Sequence, residues 1–188
     1  LKTPVSVITG GPGSGKTTLV QGLVALTKEL KIKTRLCAPT GKAAKRLAEN
    51  PEIKSLKPST IHLYLAQQAS KPAKFQMMIV DEASMIPEDS KDSLGNRSLL
   101  KDLIEYIYEG IDCKLILIGD TAQLPPIHLE ISPALDEERI ELNYSKHTIC
   151  RELKKVVRQK NNSLILENAT KIRNLKLNQN YIFPKFRV

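Results

Sequence analysis

The sequence predicts an α/β domain built on a parallel sheet with helices on both faces. Two observations carry this reading. Short apolar or β-branched runs at 5–9, 34–38, 76–80 and 114–118 alternate with segments of helical periodicity. Each run also leads directly into glycines, prolines or polar residues, where the loops at the carboxyl ends of parallel strands gather into a site.

The elements follow in order. Val5-Ser6-Val7-Ile8-Thr9 reads as a buried strand, and Gly10-Gly11-Pro12-Gly13-Ser14-Gly15-Lys16-Thr17 behind it fits G-x-x-x-x-G-K-[ST], with Thr18 next. Leu19, Val20, Leu23, Val24, Leu26 and Leu30 recur at helical spacing. A strand–loop–helix frame of this kind lets a glycine backbone wrap a triphosphate and aims N–H groups and a helix start at it. Gly11, Pro12, Gly13, Ser14, Gly15, Lys16, Thr17 and Thr18 are therefore the candidate nucleotide-binding residues. Lys16 is expected to reach the β/γ-phosphates, and the Thr17 hydroxyl to be a Mg²⁺ ligand.

Thr34 to Ala38 is expected to be a second strand, broken at Pro39-Thr40-Gly41, and Lys42 to Glu49 a helix ended by Asn50-Pro51. Ser59 is the expected N-cap of a helix containing Ile61, Leu63, Leu65 and Ala66. Gln76 to Val80 is a strand running into Asp81-Glu82. Pro87 to Arg97 reads as a loop. Leu99, Leu100, Leu103, Ile104, Ile107 and Tyr108 form an amphipathic stripe closed by Gly110. Lys114 to Ile118 is the next strand. Beyond it the pattern weakens: Leu153 to Gln159 reads as a strand, Ser163 to Leu175 as a helix, and Tyr181 to Val188 as a basic apolar tail. The expected division is a domain over 1–175 with a trailing segment at 176–188.

Composition narrows the class. The 188 residues suffice for a real core, and no apolar run approaches the ~18 residues of a bilayer span. No signal-peptide pattern opens the chain, and the first residue is Leu1 without a Met, so the sequence reads as an excerpt. Three scattered cysteines, Cys37, Cys113 and Cys150, argue for a reducing, cytoplasmic setting, and the histidines suggest no zinc site. The net charge of +9 is concentrated: 28–57 carries +6 and 151–187 carries +8, leaving −5 for the remainder. Two basic blocks on a mildly acidic body imply either a polyanion partner or two solvated lysine-rich faces.

The polar loops supply the chemistry. Asp81 is expected to hold Mg²⁺, and Glu82 to orient and deprotonate the attacking water. Gln123, in Gly119-Asp120-Thr121-Ala122-Gln123-Leu124-Pro125-Pro126, is placed to sense a γ-phosphate, while Asp120 reads equally well as a turn cap. Arg158 is either a cation for γ-phosphate charge or a surface residue.

In their order these motifs resemble the first RecA-like motor domain of superfamily 1 DNA helicases, in the RecD-like branch (the exodeoxyribonuclease V alpha-subunit type). Residues 10–18 are similar to that family's motif I and 38–47 to motif Ia, with Ser59-Thr60-Ile61-His62 similar to the DNA-contacting motif after it. Residues 80–85 resemble motif II, 117–126 motif III, and Val157-Arg158-Gln159 motif IV. The resemblance implies a RecA-like P-loop fold, ATP hydrolysis and movement along single-stranded DNA from 5′ to 3′. It assigns Lys16, Glu82, Gln123 and Arg158 to catalysis, Thr17 and Asp81 to the metal, and Thr40, Lys42, Thr60 and His62 to DNA. His62 also reads as an ordinary residue at a helix start. Subunits of a helicase–nuclease complex are further implied partners, and no membrane is. Nothing before Leu1 supplies the family's adenine-reading glutamine, and nothing after Val188 its second motor domain. The excerpt is expected to hold half an ATP cleft. A P-loop phosphotransferase would want an acceptor pocket and an Arg-rich lid, and neither is evident. A binding module without turnover would not need Glu82.

Overall fold

The computed structural model describes residues 4–68, 73–87, 90–92, 95–109, 112–123, 126, 129, 131–155 and 168. Strands β1 (Val5–Gly10), β2 (Thr34–Ala38), β3 (Ser59–Thr60), β4 (Met77–Val80), β7 (Lys114–Gly119) and β8 (Thr148–Leu153) form one sheet in the order β3-β2-β4-β7-β1-β8, with every pairing parallel. Alternation along the central strands divides the core in two. Met77, Ile79, Ile116 and Ile118 join one apolar cluster, and Met78, Val80, Leu115 and Leu117 the other. Helices cover both faces, as the sequence predicts. α1 (Lys16–Glu29), α2 (Gly41–Ala48) and α3 (Pro51–Lys54) pack on the first cluster. α4 (Ile61–Gln67), α5 (Leu99–Tyr108) and α6 (Glu137–Tyr144) pack on the second.

The predicted stripe of α1 is partly corrected. Val20, Val24 and Thr27 are buried, whereas Leu26 and Leu30 are 50% and 59% exposed. From Val20 and Val24 the inward face continues at the seventh residue, which is Thr27; its hydroxyl is satisfied by donating to Val24 O at 3.1 Å. α2 begins one residue early, at Gly41, because Thr40 caps it by accepting from Ala43 N at 3.2 Å. Asn50-Pro51 ends α2 and also starts α3: Asn50 Oδ1 accepts from Glu52 N, Pro51 stands in the first turn, and Ile53 is fully buried.

Ser59 is not the cap of α4. It pairs with Cys37 in the edge strand β3, and Thr60 is the cap, accepting from Leu63 N at 3.1 Å. α4 buries Ile61 and Tyr64, three residues apart, and leaves Leu63 exposed. α5 matches its predicted stripe, with Leu99, Leu100, Leu103, Ile104 and Ile107 buried and Ser98 capping the start. The stretch expected to be a loop from Pro87 to Arg97 contains an antiparallel pair, β5 (Ser90–Asp92) and β6 (Gly95–Arg97). Backbone ladders need no apolar side chains, so a polar sequence conceals such a ribbon.

Of the strand expected over 153–159, only residues 153–155 are described, and they do not continue as one. The strand is β8, which ends at Leu153, and Lys154 and Lys155 follow it as exposed irregular residues. The sequence pattern does not foretell α6 before it. Gly110, Leu124, Pro125, residues 156–159 with Arg158, the helix expected over 163–175 (Asn168 aside) and the segment 176–188 lie outside the described residues.

Candidate nucleotide site

Three adjacent strands, β4, β7 and β1, end side by side, and the loops that follow them meet in one place. Residues from these loops and from α1, α2 and α3 line a cavity of about 710 Å³, among them Lys16, Thr17, Asp81, Glu82 and Gln123. The glycine-rich loop turns through left-handed geometry at Gly13 (φ 76°) and Gly15 (φ 92°), which a side chain would strain, and α1 starts directly after it. Gly10 is small for another reason. A methyl group on it would lie 2.5 Å from Ser14 Oγ and 3.0 Å from Leu153 Cβ. Lys16 Nζ sits inside the loop, donating to Gly10 O at 2.7 Å and Gly11 O at 3.1 Å. Pro12, Gly13, Gly15, Thr17 and Thr18 line the cavity beside it, while the Ser14 side chain is buried with its hydroxyl unpartnered.

At the end of β4 the chain reverses sharply. Glu82 adopts left-handed geometry (φ 55°, ψ 34°), uncommon for a residue with a side chain, and leads into a 3₁₀ turn at Ala83–Met85. Asp81 Oδ1 accepts from Glu82 N at 2.9 Å. Burial raises the Asp81 carboxyl above its ordinary range. The Glu82 N–H opposes that shift, the neighbouring Glu82 charge adds to it, and Lys16 and Arg46 pull it back. Glu82 Oε2 is buried without a hydrogen-bond partner. Thr17 and Asp81 both line the cavity, and their oxygens are of the hard type that would suit a Mg²⁺ ion. The raised carboxyl is a group that a cation would restore to its charged form.

The loop after β7 holds Gln123. Ser84 Oγ donates to Gln123 Oε1 at 3.1 Å, which leaves the amide nitrogen as a donor for the cavity. Asp120 is resolved as the turn cap: Oδ1 accepts from Ala122 N at 2.9 Å, and its main-chain oxygen accepts from Gln123 N. Gly119 lets this loop approach the 3₁₀ turn, since a methyl there would lie 2.9 Å from Ser84 N.

Of the residues singled out for DNA, Thr40 and Lys42 line the cavity wall on α2, whereas Thr60 and His62 stand at the start of α4 beside the edge strand. Both threonine hydroxyls accept a capping N–H and keep their own hydrogen to donate. The sequence reading missed Arg46 and Ser84. Arg46 lies one helical turn after Lys42 and so shares its face, a spacing that was open to inspection. Ser84 becomes visible only once β4 and β7 are known to be neighbours.

A parallel α/β sheet with a phosphate loop, an acidic pair and a polar sensor at adjacent strand ends defines a P-loop nucleotide-binding domain. The chain belongs to the AAA domain family, whose model matches residues 1–128. It is 36% identical over 128 residues to the ATP-dependent RecD2 DNA helicase of Deinococcus radiodurans, covering 64% of this chain and 16% of that protein. To the RecBCD enzyme subunit RecD of Haemophilus influenzae it is 34% identical over 159 residues, covering 68% and 23%. The chain thus spans about a sixth to a quarter of these relatives' length, and the likeness to them is confined to that span. In fold, 93% of it matches 45% of a Pif1 helicase chain with a TM-score of 0.60 at 21% identity.

Proposed function

We propose that this domain binds and hydrolyses Mg-ATP as the motor of a DNA helicase, and that the intact protein tracks on single-stranded DNA from 5′ to 3′. The observation that carries the reading is the meeting of Lys16, Asp81, Glu82 and Gln123 around one cavity, with a carboxylate oxygen of Glu82 buried there unpartnered. Lys16 leaves the loop carbonyls for the β/γ-phosphates, a stronger acceptor. Thr17 and Asp81 would hold a Mg²⁺ ion, which would supply charge neutralisation on the phosphate oxygens. Glu82 takes the proton of the attacking water, and its unpartnered oxygen is suited to a new hydrogen bond. Gln123 donates to the γ-phosphate with an amide that Ser84 already orients. Arg158 adds a cation from the chain beyond β8.

Thr40, Lys42, Thr60 and His62 are the proposed DNA contacts, made mainly to phosphates and so independent of sequence. One relative is named as a subunit of the RecBCD enzyme, which supports partner subunits for the intact protein; that these belong to a helicase–nuclease complex, and that it works in the cytoplasm, is part of the same proposal. Among the described residues no helix is long and apolar enough to cross a membrane.

The test is steady-state ATP hydrolysis by the intact protein with and without single-stranded DNA. A motor is stimulated by the strand, whereas a phosphotransferase is indifferent to it. Glu82→Gln should retain nucleotide binding and lose turnover by at least about a hundredfold. Parental turnover in that variant would remove Glu82 as the base.

A further inference from the structure

The basic block at 28–57, continuous in sequence, is divided by the fold. Lys42 and Arg46 face the nucleotide cavity beyond the carboxyl end of β2. Lys28, Lys31, Lys33 and Arg35 gather instead at the amino end of β2, where Lys74 joins them around an open cleft of about 450 Å³. The five residues of β2 hold the two sites about 16 Å apart. Among the described residues, none that lines the cleft is acidic.

The cleft is rigidly built. Lys33 O accepts from Gln76 N and Met77 N, and Lys33 N donates to Gln76 Oε1, so the starts of β2 and β4 are pinned together. The Arg35 guanidinium lies 5.9 Å from the centre of the Tyr64 ring. Two turns frame the opening, and each places a lysine in left-handed geometry: Lys31 at φ 55° after α1, and Lys57 at φ 49° next to Leu56 on the cleft wall. Glycine or asparagine suits such positions better. In the first turn Lys31 N bonds Lys28 O and Ile32 N bonds Thr27 O, the closed helix end in which glycine is usual. Lysine at both positions retains positive charge where conformation alone favours its loss. Among the described residues the one aromatic lining the cleft, Phe75, is buried, so it offers no ring for base stacking.

We propose that this cleft is a second nucleic-acid contact, one that grips the phosphodiester backbone at the end of the sheet away from the ATP site. The choice of nucleic acid as the polyanion rests on the DNA-tracking function proposed above. Contact to the backbone alone serves a single strand or a duplex, and the two are separated by the probe.

The experiment is fluorescence anisotropy of the intact protein with a labelled oligothymidine strand and a labelled duplex across a salt series. The combined variant Lys31→Gln, Lys33→Gln, Lys74→Gln should weaken binding to at least one probe about tenfold or more. It should lower the salt slope by about two, at ~0.7 for each phosphate that is no longer neutralised on a single strand. ATP hydrolysis without DNA should be unchanged. Lys31→Gly and Lys57→Gly guard against a folding artefact: glycine suits both turns, so melting temperature should hold or rise while affinity falls severalfold. Unchanged affinity and slope for both probes in these variants overturns the proposal, as does an effect confined to anionic lipid vesicles. The pair Lys42→Gln, Lys45→Gln separates the two readings. If it weakens binding and the cleft variants do not, the track stands without the cleft; the reverse result keeps the cleft and removes the track.

Discussion

β7 and β8 flank β1 on opposite sides, both parallel to it, and their pairing is almost equally long. Val5 to Thr9 align with Leu115 to Gly119 on one side, and Val5 to Gly10 with Thr148 to Leu153 on the other. Their surroundings differ. β7 is buried from Leu115 to Gly119 on both faces, whereas β8, the edge of the sheet among the described residues, leaves Arg151 and Glu152 exposed. Backbone pairing alone thus places a strand, while burial of its side chains adds the stability. The division also bears on chemistry, because Gln123 follows β7 and Arg158 follows β8.

The largest expected effect tests whether the β8 side contributes to turnover at all. Arg158→Ala in the intact protein should slow ATP hydrolysis by ~10³ or more, the scale of an arginine that meets charge on a moving phosphoryl group. DNA affinity should change much less. Steady-state rates with DNA titrations decide this, and intact turnover would leave the ATP chemistry to β1, β4 and β7.

Next in size is the stability contrast itself. Leu117→Ala, in the fully buried centre of β7, should cost about 2–5 kcal/mol in denaturant unfolding. Ile149→Ala in β8, half-buried, should cost about 1 kcal/mol. Equal losses would mean that the edge strand is as deeply packed as the centre.

The smallest effect on stability has the opposite sign. Because burial raises the Asp81 carboxyl, the folded chain binds its proton more tightly than the unfolded chain does. This group's contribution to stability is greatest below the ordinary aspartate range and is lost as pH rises through the folded value. Asp81→Asn should therefore raise the melting temperature at neutral pH by about 2–4 °C per kcal/mol regained, while abolishing Mg-dependent turnover. Calorimetry in the absence of nucleotide reads the first effect, and an ATPase assay the second.

The same contrast explains what could be read from sequence. The phosphate loop is legible because its chemistry fixes residue types at fixed spacing. β4 and β7 are legible because double-sided burial demands unbroken apolar runs. β8, with Thr148, Arg151 and Glu152 among its residues, carries no such signal, and the sequence pattern places it too late in the chain. Whether Ser59 or Thr60 caps α4 depends on one residue of pairing with β2, which no local pattern reveals. The left-handed turn at Glu82 is likewise invisible, since nothing in Asp81-Glu82-Ala83 calls for it; the turn lies where β4 meets the buried Ala83 and Ser84.

The Gly10–Leu153 contact has a mechanical meaning. Leu153 is the last residue of β8 and lies in register with Gly10, against the position where a Gly10 side chain would begin. Tension on the chain beyond Leu153 therefore arrives first at the root of the loop that holds Lys16. A pull along the strand axis loads the hydrogen bonds that β8 shares with β1 in shear, all together, instead of peeling them one by one. β8 is thus a stiff tether between the phosphate loop and whatever the chain after it engages.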